Sequence, residues 1–401
     1  MSGSSEQVTA VSPSGASTAP PPARPAGRFH FIDALRGWAV LVMIETHVVN
    51  ALLLSAIKDE SPFKVLTFVN GLVAPSFLFC AGLAFAISLN RRWQEFAGLG
   101  RPFGRMIVRA LFILGVAYSL HIPFFSLARM KTVADQTLWI SFFQVDILQV
   151  IGITFLLLSI LVVMSGKESR FASLAGLTGV LIVFASPIVR ELDWSGSPIW
   201  LRAYFTNHYK SQFPLFPWMS FLLAGTVIGN RFVAAVRAGT EDRFMRTAGI
   251  LALSGIVISM LAEWIPLTLY PNHDFWRASP EFFFVRLGLV VLLLVLLWRA
   301  GRGRQPAQWS VIGLLGQESL LVYVVHLLIV YGYTYDWSFV RKFGPTLTYA
   351  GCAGLFAGLT VAMVLLAAVW HWMKKWNMRV AVSVRFAVIS GIILWFILKP
   401  V

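Results

Sequence analysis

Two cysteines in 401 residues, Cys80 and Cys352, each within an apolar run, exclude a disulfide scaffold and a thiolate metal centre; they read as small buried hydrophobes and leave the redox compartment open. Acidic residues are scarce as well, 18 Asp and Glu against 33 Lys and Arg, and charged residues of both signs make up only 13% of the chain. No HExxH, Walker loop, GxGxxG or CxxC is present, so metallohydrolase, nucleotide-hydrolysing and dinucleotide chemistries have no motif to rest on, and no metal is expected. Alternating ten-residue segments of the transmembrane β-barrel type are also missing.

What is abundant is apolar sequence. Hydrophobic residues reach 57%, and runs of about twenty, the length needed to cross a bilayer as a helix, follow one another. They fall near 31–56, 65–89, 105–126, 140–164, 171–189, 214–233, 246–268, 281–299, 309–332, 346–371 and 383–398. The fold class expected is an all-α polytopic membrane bundle of about eleven spans over 28–401, a ten-helix core plus one. Residues 1–27, rich in Ser, Pro, Ala and Gly, lack the large apolar side chains that would bury a core and read as a disordered tail. The first apolar run is too long and too charged for a cleaved signal peptide.

Setting the N-terminus in the cytoplasm places the arginine-rich connections RRWQEFAGLGRPFGR, NRFVAAVRAGTEDRFMR, WRAGRGR and HWMKKWNMR on the cytoplasmic side, as the positive-inside rule requires. The C-terminus then lies outside, and the localisation expected is multi-pass in a bacterial inner or plasma membrane. The net charge of +15 is accounted for by these loops and by anionic headgroups, without a nucleic-acid partner.

Ionisable residues inside such runs are costly and mark function by default. With this topology Glu45, His47, Asn50, His121, Asp146, Gln149, Glu263 and His326 fall in the outward half, and Arg36, Arg105 and Arg109 at the inward end. In FIDALRGWAVLVMIETHVVNALLL, Arg36 and His47 are eleven residues apart, about 20° around a helix and about 16 Å along it. One face thus carries both, and Glu45 points nearly the opposite way. A guanidinium suits bidentate phosphate contact and an imidazole suits proton removal near neutral pH, which fits an acyl-CoA whose phosphates and thioester are separated by an arm of comparable length.

RGWAVLVMIETH, preceded by IDAL, is similar to the first-helix motif of the membrane-bound acyltransferase family 3. The chain also resembles the heparan-α-glucosaminide N-acetyltransferase catalytic-domain-like family in IDALRGWAVLVMI, APSFLFCAGLAFAIS, VDILQVIG, FPWMSFLLAGTVIG and LGQESLLVYVVH, over most of residues 28–330. The resemblance implies a roughly ten-helix core, an acyl-CoA donor, a binding role for Arg36 and a catalytic role for His47. The heparan-type enzymes place their histidine later, in the loop after the first helix, where this chain has LSAIKDESP and no histidine.

The expected activity is transfer of an acetyl or other acyl group from cytoplasmic acyl-CoA to a hydroxyl or amine of an extracytoplasmic acceptor, a carbohydrate by preference. His47 is the candidate catalytic residue, as general base or acyl carrier, with Glu45 and Asp146 beside it. Arg36, Arg105 and Arg109 are candidates for the donor's phosphates, with ordinary flanking charge as the alternative for Arg105. Asn50, Gln149, Tyr323 and His326 are candidates for the acceptor; Ser319, Tyr323 and His326 follow i, i+4, i+7 on one face. A proton-coupled secondary transporter using Glu45, Asp146, Glu263 and Glu318 is the competing class, against which the sequence offers neither an internal repeat nor paired interrupted helices. A membrane scaffold or glycan receptor ranks third, because it leaves the Arg36–His47 register unexplained.

Overall fold

A computed structural model describes residues 29–132, 136–265, 279–302, 310–332 and 337–399. The tail over 1–27 and most of the loop LYPNHDFWRASP lie outside them. Regular structure among these residues is helical, apart from a single bridge joining Leu53 and Leu347. The chain runs through α1 (His30–Leu52), α2 (Ser61–Asn70), α3 (Val73–Asn90), the short α4 (Trp93–Ala97), α5 (Arg101–Ser119), the short α6 (Leu127–Thr132) and α7 (Gln136–Phe143). It continues through α8 (Ile147–Ser165), α9 (Glu168–Glu191), the single turn α10 (Ile199–Arg202), α11 (Leu215–Arg237), α12 (Glu241–Ala262) and α13 (Pro280–Gly301). The bent pair α14 (Val311–Gln317) and α15 (Ser319–Tyr331), the short α16 (Phe339–Phe343), α17 (Tyr349–Trp376) and α18 (Met378–Leu398) complete it.

The chain is therefore an all-α, multi-pass membrane bundle. Nine helical segments among the described residues are long and apolar enough to cross a bilayer, and ten if α14 and α15 form one span. Helix α1, 23 residues long, is not among them, because Asp33, Arg36, Glu45, His47 and Asn50 dilute its hydropathy. Its length still suffices to cross, at about 1.5 Å per residue, and its place is at the centre, packed against α2, α3, α13, α14, α15 and α17. At the other extreme, α18 buries only Ala381; the rest of its largely apolar surface suits lipid.

Three expected spans are not single uninterrupted helices. The run 65–89 carries a two-residue turn at Gly71 and Leu72 between α2 and α3, which together still make one span, the run 140–164 breaks at 144–146 before α8, and the run 309–332 bends by 88° between α14 and α15. The last is the one sharply bent pair among the described residues, so it does not supply the paired interruptions in two halves that a transporter of repeated design would show. Glu318 stands at the bend, 5% exposed, and is held by Lys374 of α17 and by His371 Nδ1 at 3.0 Å. Close approach then fixes the short arm: a Cβ on Gly316 would lie 2.0 Å from the Asp33 carbonyl oxygen, and one on Gly37 would lie 1.8 Å from that of Ile312. Only residues without a side chain let α14 cross α1 at this distance, and the crossing flanks Arg36. Cys80 and Cys352 are free and buried, as their apolar settings indicate.

Candidate functional site

Two cavities lie along α1, one at each end of the Arg36–His47 segment. The first, about 250 Å³, is lined by Arg36, Arg109, Ser88, Ser319, Tyr323 and a wall of apolar side chains that includes Phe77, Ile147 and Leu148. The second, about 610 Å³, is lined by His47, Asn50, Asn70, His121, Asp146 and Arg286 among others. Phe77, Ile147, Leu148 and Tyr323 line both. The two spaces therefore meet at a waist made of two aromatic and two aliphatic side chains.

At the arginine end, Arg36 Nη2 donates to the carbonyl oxygen of Cys80 at 3.5 Å, a long bond that leaves most of its five donors available. Arg109 lies on α5, and its side chain sits at the rim of the cavity, exposed to the outside. Arg105, one turn earlier on the same helix, is exposed and lines neither cavity. The i, i+4 pair thus splits, with one member at the cavity and the other on the periphery.

At the histidine end, His47 Nδ1 lies 3.0 Å from the Tyr331 hydroxyl, and no partner for its Nε2 is found among the described residues. The tyrosine can hold Nδ1 as the protonated nitrogen, which leaves Nε2 as the base directed at the cavity that His47 lines. His326 packs on the same imidazole, ring centres 5.2 Å apart. Its Nδ1 donates to the Val322 carbonyl at 2.8 Å, and its buried Nε2 has no hydrogen-bond partner among the described residues. His326 itself lines neither cavity; it backs the histidine that does.

Asp146 caps the start of α8 and belongs to a different chain of contacts. Gln144 Nε2 donates to His121 Nδ1 at 3.1 Å, and His121 Nε2 faces Asp146 Oδ2 at 2.8 Å. The Asp146 backbone N–H donates to Gln149 Oε1 at 3.1 Å. Asp146 is thus paired with His121, on the wall facing His47, and Tyr331 is the group that touches His47. Asp146 Oδ1 is buried without a partner.

Of the residues singled out from the sequence, His47, Asn50, Asp146, Gln149 and Tyr323 converge on the larger cavity, and Arg36, Arg109, Ser319 and Tyr323 on the smaller. Glu45 lines neither, and its Oε1 is buried without a hydrogen-bond partner. Sequence reasoning missed Tyr331, Asn70, Gln144 and Arg286 on the wall of the larger cavity, whereas Gln212 and Trp218 belong to the aromatic outer stretch SPIWLRAYFTNHYKSQFPLFPW, whose composition suits a stacked carbohydrate without singling out either residue. The signal for Arg286 was present, since it is an arginine inside the apolar run FFFVRLGLVV. The aromatic and amide residues looked like an interfacial belt and loop polarity.

Among the described residues no cluster of His, Cys, Asp and Glu could hold a metal ion. The sequence profile of the family described as heparan-alpha-glucosaminide N-acetyltransferase, catalytic, matches residues 28–259, more than half of the chain. Of the two families that the sequence resembles, the match falls on this one; the likeness to acyltransferase family 3 rests on the Arg36–His47 spacing. No individual curated protein matches the chain to a comparable degree.

Proposed function

The chain belongs to the heparan-alpha-glucosaminide N-acetyltransferase catalytic family, and from that premise we propose that it transfers an acetyl group from acetyl-CoA, bound at the arginine cavity, to an amine or hydroxyl of a carbohydrate acceptor held in the histidine cavity. The observation that carries this reading is the shared waist: four side chains line both spaces, so a thioester reaching it from one side meets a nucleophile waiting on the other. In this reading the arginine end faces the cytoplasm.

The smaller cavity, about 250 Å³, lies just below the range of roughly 300–1,000 Å³ typical of small-molecule sites. It suits the narrow pantetheine arm, with the phosphates of the donor at its mouth, where Arg109 is exposed and Arg36 lies deeper. Guanidinium groups are the side chains matched to phosphate oxygens. The arm would run along the apolar wall of Phe77, Phe85, Ile147 and Phe155 and bring the thioester to Tyr323.

At the waist, His47 Nε2 takes a proton from the acceptor amine or hydroxyl as its nitrogen or oxygen bonds to the thioester carbonyl carbon. The tetrahedral intermediate collapses by breaking the C–S bond. The proton passes from His47 to the departing thiolate, leaving free CoA and an acetylated acceptor. Tyr331 keeps Nδ1–H occupied throughout, so a single tautomer performs both transfers.

The test uses the detergent-purified protein. We expect His47→Ala to lower acetyl transfer to glucosamine by about 10²- to 10⁴-fold while calorimetry still shows acetyl-CoA binding, and Arg36→Ala to weaken that binding. Unchanged turnover in His47→Ala would sink the assignment. The carrier reading has less support: Glu318, one of its proposed proton sites, is engaged by Lys374 and His371.

A further inference from the structure

Arg286 projects from α13, outside the matched residues 28–259, into the wall of the larger cavity. Its guanidinium lies over the Phe282 ring at 4.0 Å and the Trp218 ring at 5.6 Å. It has no hydrogen bond and no ion pair among the described residues. Space for it is left by Gly71, whose absent Cβ would stand 3.4 Å from Arg286 Nη2, at the break between α2 and α3.

An arginine in the membrane-spanning part of a bundle is expensive unless something answers its charge. The one carboxylate among the described residues that line this cavity, Asp146, already answers His121. Two aromatic faces orient the guanidinium and attenuate its cost, but among the described residues nothing accepts from its N–H donors. The same cavity is lined by the amides of Asn70, Gln144, Gln149 and Gln212 and the indole of Trp218, hydrogen-bonding groups with one aromatic plate. That combination is suited to a sugar ring, and a cation unanswered among the described residues adds a demand for negative charge.

We infer that Arg286 is the anion-binding group of the acceptor site, and that the acceptor carries a carboxylate or a phosphate within reach of the amine or hydroxyl presented to His47. The inference rests on the acetyltransferase reading for the identity of the ligand as acceptor, but the binding site stands on the cavity alone. Trp218 would stack on the ring, and the two forked N–H pairs of Arg286 would take the oxyanion in a bidentate contact.

The experiment compares calorimetric binding of glucosamine, glucosamine 6-phosphate and 2-amino-2-deoxyglucuronic acid to the full-length purified protein, wild type beside Arg286→Gln and Arg286→Lys. Wild type should bind at least one of the two acidic sugars about 10- to 100-fold more tightly than glucosamine, the span of a charge-assisted hydrogen bond; which one identifies the anion. In Arg286→Gln the preference should collapse, and Arg286→Lys should restore part of it. Equal wild-type affinity for the three sugars overturns the inference without any variant having to fold, and so does a preference that survives in a folded Arg286→Gln protein. Acetyl transfer measured on the same samples separates the two readings. Acid preference without any transfer keeps this site and sinks the enzyme assignment, whereas transfer without acid preference does the reverse.

Discussion

At the scale of single residues, the larger cavity is organised around one imidazole with three distinct neighbours. Tyr331 touches Nδ1, His326 packs at a tilt against the ring, and the cavity receives Nε2. Tyr331→Phe removes the hydroxyl and frees the tautomer. We expect it to lower the turnover number by about tenfold or more with little change in the acetyl-CoA KM, which steady-state kinetics will read as an effect on chemistry and not on donor binding. Polar residues in apolar runs are the part of the cavity walls legible in the sequence, and Arg36, His47 and Asp146, singled out that way, line the two cavities. Glu45 was chosen by the same signal and faces away, because residue type and depth say nothing of azimuth without knowing which neighbours a helix has. Tyr331 is not distinguished by the sequence, and Trp218 only as part of an aromatic outer loop, because tyrosine and tryptophan are ordinary at membrane interfaces.

Helices and their breaks set where these residues can reach. Apolar runs gave the spans, since a twenty-residue stretch has few alternatives in a bilayer. Hydropathy averaged over such a stretch passes over an interruption of one or two residues, so the turn after Asn70 and the bend at Glu318 leave no trace in it. The break at Glu318 depends on its charge partners. Lys374→Ala leaves a nearly buried carboxylate with only His371 beside it, and a destabilisation of about 2–3 kcal/mol is expected, short of the loss for a fully buried pair because Lys374 is itself 32% exposed. Denaturant or thermal unfolding in detergent will measure it. The crossing of α14 on α1 gives a sharper contrast: Gly37→Leu drives a side chain into the Ile312 carbonyl and should abolish the folded state or displace Arg36 and donor binding with it, whereas Gly104→Ala, with nothing within 4 Å of the new Cβ, should be silent. Equal behaviour of the two variants in thermal melts would contradict the packing described for that crossing.

For the whole molecule the proposed direction of transfer depends on which end faces which compartment. The two native cysteines are buried, so an impermeant maleimide reports only on cysteines placed by design. With the arginine cavity on the cytoplasmic side, Gly196→Cys, in the exposed connection before α11, should label in intact cells, and Arg92→Cys, between α3 and α4, only after permeabilisation. The reverse pattern would invert the proposed direction of transfer. Most of the chain's architecture was legible because lipid permits few backbones; the waist was not, because it is assembled from α3, α8 and α15, whose residues share no pattern along the chain.

That waist has an energetic consequence. If donor and acceptor each stay on their own side of Phe77, Ile147, Leu148 and Tyr323, neither molecule crosses the bilayer, and what passes between compartments is an acylium equivalent moving outward against a proton moving inward on the released thiol. The exchange is electroneutral. A membrane voltage should therefore neither drive nor oppose turnover, and proteoliposomes clamped at different potassium diffusion potentials should acetylate at one rate, powered by the thioester alone.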